Sequence, residues 1–105
     1  HPNRAAGVAF VTKLEEKLGP DTRSTFAGAT WDAWLLLENA LTKAGATTKP
    51  GTQAFRDGVR DALEQTAGLV GTNGVYTMSP DDHNGYDNAS VVLIEVKDGR
   101  WSLVR

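Results

Sequence analysis

The chain contains no cysteine. That excludes disulfides, Cys-ligated zinc, iron–sulfur clusters and thiol chemistry, and it leaves the redox compartment open. No apolar run approaches the ~20 residues that span a bilayer. There is no signal peptide either, and the chain begins His1-Pro2 without methionine. Such a start reads as a cut end, so the missing signal does not argue for the cytoplasm. Positive charge is scarce. Eleven Lys+Arg stand against thirteen Asp+Glu, for a net charge of −2, and a nucleic-acid partner would want a basic face. No Gly-x-Ser-x-Gly elbow and no phosphate-binding Gly-Lys-Ser/Thr loop is present. Gly68, Gly71 and Gly74 lie close together but precede a strand rather than a helix N-terminus, so a phosphate cradle is not expected.

What remains is an ordinary soluble balance, 40% hydrophobic and 23% charged over 105 residues, enough for one domain. The stretch around which the rest is organised is Thr30–Leu41, with two of the three Trp residues and Leu35, Leu36, Leu37 and Leu41. It predicts a helix from about Thr30 to Ala44. Thr30 offers a cap, Asp32 favourable charge in the first turn, Lys43 the same in the last, and Gly45 an end. Asp32, Glu38, Asn39 and Thr42 form a narrow polar side, with Trp31 and Trp34 expected in a core. A helix this apolar needs cover on more than one face.

Before it, Gly7, Val11, Leu14 and Leu18 repeat at helical spacing, which predicts a helix over Asn3–Leu18 capped by Asn3 and stopped by Gly19-Pro20. Asp21–Ala29 reads as a linker anchored by Phe26. Phe55, Val59, Ala62 and Leu63 predict a third helix over Thr52–Gln65. Its Arg56, Asp57, Arg60, Asp61 and Glu64 interleave signs, as a solvated face does. Beyond Gly68 the pattern becomes extended: Leu69–Gly71, Val75–Met78, Ser90–Val96 and Trp101–Val104. The Val91–Val96 run is apolar enough to expect cover on both faces. Asp98-Gly99 signals a tight hairpin turn. Trp101 is expected to pack beside that hairpin. The expected fold is α/β, or α+β for the segment by itself: three helices, then about three strands ending in a hairpin, with the helices on one face of a small antiparallel sheet. The cover demanded by the Trp-rich helix and the Val91–Val96 strand exceeds what two partner helices and three strands supply. The chain reads as lacking its neighbours.

Titratable groups cluster only at Asp81-Asp82-His83-Asn84. Asp81, Asp82 and His83 carry the group types of a metal or acid–base site, but the spacing fits neither a calcium loop nor a helical zinc site. The plainer reading is a turn whose Asp and Asn side chains bond their own backbone. No catalytic residue, metal or cofactor is expected.

The order of segments nonetheless resembles a family. Phe10–Gly19, Phe26–Ala33, Lys49–Arg56, Val59–Glu64, Gly74–Gly85 and Val96–Leu103 together resemble the type I periplasmic solute-binding proteins of branched-chain amino acid-type ABC transporters. The resemblance implies a two-lobed, periplasmic-binding-protein-like fold of which this chain is a C-terminal fragment. Residues 1–86 would belong to the first lobe, a hinge crossing would lie near Tyr86–Asn88, and residues 87–105 would reach the second lobe. It implies a periplasmic or extracellular protein delivering a small solute, an amino acid or related organic acid, to an ABC transporter permease. The family's principal ligand-holding residues have no counterpart here. At the cleft edge or hinge the resemblance points to Trp31, Asp32, His83 and Tyr86. The fragment alone is expected not to bind ligand and, with apolar surface uncovered, to form a homodimer or swapped oligomer. The alternatives are a sensory receptor of the same fold, or a small unrelated enzyme using Asp82 and His83.

Overall fold

In the computed structural model, residues 1–86 and 88–104 are described. Helix α1 spans Arg4–Leu18, α2 spans Thr25–Gly45 and α3 spans Gln53–Glu64. Strands β1 (Leu69–Val70) and β2 (Val75–Tyr76) form one antiparallel ladder. A 3-10 turn at Asn88–Ser90 leads to β3 (Ile94–Lys97) and β4 (Arg100–Leu103), a second antiparallel ladder. The mixed α/β class is as expected, but the single sheet is not. Among the described residues there are four strands in two separate pairs.

Helix α2 begins five residues before its expected start. Ser24 is extended and its side chain accepts from the Ala27 N–H, so it caps the helix. Thr30 instead returns its hydroxyl to Phe26 O, 2.9 Å away and one turn back. The stretch expected as a linker from Asp21 is therefore helical from Thr25, and Phe26 is no anchor, being 84% exposed. Gly45 is the last helical residue and not a left-handed terminator. Gly19, at φ 98° and ψ 167°, ends α1 with a positive φ that favours glycine, outside the left-handed helical well. Asn3 precedes α1 without capping it and donates to Thr72 O at 2.9 Å instead. Arg23 grips Glu15 with two parallel bonds of 2.8 and 3.0 Å, tying the α1–α2 loop to α1. The bonded guanidinium lowers the Glu15 pKa.

The buried stripe of α2 is Gly28, Asp32, Leu36, Ala40 and Ala44, an unbroken i, i+4 series. Helix α3 lies against its far end, where Ala62 is buried and a Cβ on Gly58 would sit 3.5 Å from the Ala44 methyl. The small residues let the two helices approach closely. The Trp residues are not core. Trp31 is 43% and Trp34 52% exposed. Trp31 stacks on Phe10 of α1 at 5.8 Å between ring centres, beside an open groove bordered by Leu14 and Leu18.

The hairpin forms as its turn chemistry dictates. Lys97 pairs with Arg100, and Asp98 and Gly99 both take positive φ, 51° and 73°. Val91, Val92 and Leu93 precede β3 as non-strand residues, and no residue of β3 is buried. Trp101 pairs opposite Val96 yet is 74% exposed.

The shortage of cover is measurable. The accessible surface is 7757 Å², where a folded monomer of this mass exposes about 5,700 Å². The radius of gyration is 16.6 Å, against about 13 Å for a compact domain of this length. An excess on the order of 2,000 Å² matches one side of a large permanent interface.

Candidate functional site

The site grows from Asp32, which the sequence places on the polar side of the Trp-rich helix and the structure buries to 1% exposure. Its position in the i, i+4 stripe aims the carboxylate at the loop Gly71–Gly74 that joins β1 to β2. Oδ1 accepts the Thr72 N–H at 2.5 Å, and Oδ2 accepts the Asn73 N–H at 2.8 Å. Oδ2 also accepts the Tyr76 hydroxyl at 2.8 Å. Three donors thus replace the water that a buried carboxylate gives up.

The loop can come this close only because glycines clear its path. A Cβ on Gly71 would stand 2.6 Å from the Asp32 carboxyl carbon. On the helix side, a Cβ on Gly28 would lie 2.5 Å from Asn73 Oδ1, and one on Gly7 would lie 3.1 Å from Thr72 O. The Asn73 side chain donates to Thr25 O at 3.0 Å. The loop is therefore seated against α1 and α2, held by the side chains of Asn3, just before α1, and of Asp32 in α2.

From Tyr76 the hydrogen bonds continue outward. Tyr76 is 5% exposed, and its hydroxyl lies 2.8 Å from that of Tyr86. A backbone bridge between the two residues sets this distance, and their rings tilt at 57° with centres 5.0 Å apart. Burial, then the bonds to Tyr86 and Asp32, push the Tyr76 pKa far above the usual tyrosine range. Tyr86 is 36% exposed and lies over Gly74, where a Cβ would meet the ring at 2.6 Å. It borders an open groove of about 410 Å³ with Thr25, Asn73, Ser90, Val91 and Val92.

Of the four residues suggested by resemblance, Asp32 and Tyr86 are brought into one chain of hydrogen bonds by Tyr76. The other two stand apart from it. Trp31 faces Phe10 beside the α1 groove. His83 Nε2 lies 3.2 Å from Glu64 of α3. Asp82 and His83 form no pair, since Asp82 Oδ1 accepts the N–H groups of Asn84 and Gly85 at 2.9 and 3.0 Å. That is the turn reading of this loop. Among the described residues no group of three or more acidic or His side chains is placed to hold a metal. The hinge suggested near Tyr86–Asn88 includes Asp87, which lies outside the described residues.

Sequence reasoning missed Tyr76 and the glycine-bracketed loop. A signal was present: the Gly71-Thr-Asn-Gly74 tip, and an acid at the i+4 position from Gly28 on a helix.

No family model matches the chain, and no curated protein matches it. Solved structures do. An extracellular ligand-binding receptor from Rhodopseudomonas palustris is 37% identical, with a TM-score of 0.87 over 100% of this chain and 29% of its own. An extracellular ligand-binding receptor from Rhodopseudomonas palustris HaA2 is 38% identical, with a TM-score of 0.86 over 98% of this chain and 29% of its own. Another structure of that description, also from HaA2, is 38% identical, with a TM-score of 0.82 over 99% of this chain and 29% of its own. The chain thus spans 29% of the length of the receptors it matches. By fold, and at 37–38% identity over 98–100% of its length, the chain is similar to one portion of the extracellular ligand-binding receptors of the type I periplasmic binding fold.

Proposed function

We propose that the chain is the C-terminal part of an extracytoplasmic binding protein that carries a small solute, an amino acid or related organic acid, to the permease of an ABC importer. The observation that carries this reading is the match to extracellular ligand-binding receptors at 37% identity across the entire chain. Residues 1–86 would complete one lobe and residues 87–105 would reach the other. The exposed β3–β4 hairpin, with Ile94, Val96, Trp101 and Leu103 all more than half exposed, supports that assignment. Asp32, Tyr76 and Tyr86 would contribute the cleft edge. Trp31 and His83, being remote from that chain of bonds, are weaker members of the set.

The experiment has two arms. Calorimetry with branched-chain and aromatic amino acids is expected to show binding by the receptor that contains this chain and none by the 105-residue chain alone. Micromolar binding by the chain alone would overturn the division of labour. Reconstitution of the receptor with its permease should then drive uptake of the bound solute, and binding without uptake would favour a sensing role. For the isolated chain, sedimentation should show a dimer or larger species, since the uncovered apolar surface seeks a partner. A strictly monomeric 11.3 kDa species at high concentration would contradict that expectation.

A further inference from the structure

Tyr76 gives its hydroxyl proton to Asp32 Oδ2 at 2.8 Å. A phenol has one proton, so Tyr76 has none left for Tyr86 and can only accept across their 2.8 Å contact. The Tyr86 proton therefore points inward. Asp32 cannot easily turn to relax this order, because its oxygens also hold the Thr72 and Asn73 N–H groups, which can only donate. Nor can the Tyr86 ring settle deeper, since it already lies against Gly74. With its proton committed, the Tyr86 oxygen has only lone pairs left for whatever enters the groove.

We infer that the Asp32–Tyr76 relay makes the Tyr86 hydroxyl a hydrogen-bond acceptor toward the groove, so that this edge of the site takes a ligand's donor group, an ammonium or amide N–H, and disfavours a carboxylate. In this role Asp32 and Tyr76 are positioning residues and Tyr86 is the contact. The inference rests on the solute-receptor reading and adds the chemistry of one subsite. A ligand group that leaves the oriented oxygen unpaired, or sets lone pair against lone pair, loses about tenfold in affinity or more.

The test uses the receptor that contains this chain, with two pairs of probes differing only in the amine: L-leucine against 4-methylpentanoate, and L-phenylalanine against 3-phenylpropanoate. Calorimetry should show the amine-bearing member of a pair binding about tenfold tighter or more. Tyr86→Phe should remove most of that preference. Tyr76→Phe leaves Tyr86 in place but frees its proton to point outward, and should shrink the preference while thermal melting confirms a folded receptor. An amine preference unchanged in Tyr86→Phe, or equal binding of both members by the wild type, overturns the inference and leaves the receptor reading standing. No binding of any of the four probes by the wild type rejects the receptor reading for this solute class, and the inference with it.

Discussion

Replacing Asp32 by alanine tests the central feature of the structure. The carboxylate accepts from Thr72 N–H, Asn73 N–H and Tyr76 O–H. Each donor left unpaired and shielded costs about 1–3 kcal/mol. Two effects reduce the sum. The part-buried loop admits some water, and a buried charge whose desolvation costs several kcal/mol disappears. The net expectation is a loss of about 3–5 kcal/mol, against a total stability of about 5–15 kcal/mol for a domain of this size. Urea unfolding followed by tryptophan fluorescence should place the midpoint lower by roughly 2 M. Glu38→Ala, on the exposed side of the same helix, should stay within about 0.5 kcal/mol of wild type. The glycine supplies a second arm. Gly71→Ala places a methyl 2.6 Å from the carboxyl carbon and should cost about 1–3 kcal/mol by overpacking. In the Asp32→Ala background the collision is gone, so the two losses should not add. An Asp32→Ala loss of less than about 1 kcal/mol, the range of ordinary surface changes, would refute the account of a buried, fully satisfied carboxylate.

The early start of α2 predicts that Ser24→Ala costs about 0.5–2 kcal/mol, while Thr30→Ala, which removes only a hydroxyl bonded within the helix, leaves the urea midpoint nearly unchanged. The raised Tyr76 pKa has a definite sign. The folded state keeps the phenol protonated while the unfolded state ionises above pH ~10, so the unfolded state binds fewer protons there. Stability is undiminished below that pH and then falls by about 1.4 kcal/mol per pH unit for this group. Tyr76→Phe should flatten that alkaline slope, read from urea midpoints at several pH values. The lowered Glu15 pKa acts oppositely. Its support by Arg23 is present at neutral pH and fades as acid protonates the carboxylate below the usual glutamate range. Arg23 is exposed and Glu15 only partly covered, so added salt should weaken the effect, and Glu15→Gln should remove both dependences in thermal melts.

Periodicity and turn chemistry made much of the local structure legible from residues alone. The stripe Phe55, Val59, Ala62 and Leu63 identifies α3 because helical spacing is a property of the chain itself. Asp98-Gly99 identifies the β3–β4 turn because few residue pairs tolerate two positive φ angles. The shortage of cover was legible too, since the Trp-rich helix and the Val91–Val96 run are apolar on more faces than the remaining segments can shield. The orientation of α2 was not. Around the helix, Trp31 and Trp34 offer more apolar area than Gly28, Ala40 and Ala44, so a hydrophobicity argument turns the wrong face inward. What buries the small-residue stripe is close approach. A helix and a loop must come within van der Waals contact, and only glycine and alanine leave the space. Asp32 follows that stripe into the interior because donors brought together from Thr72, Asn73 and Tyr76, some forty positions later, replace its hydration. No local pattern encodes such a meeting. The sequence determined the bodies of the three helices and the β3–β4 turn, because those preferences act over a few residues, and the tertiary structure decided which face is buried and how the strands pair, because that depends on partners distant along the chain.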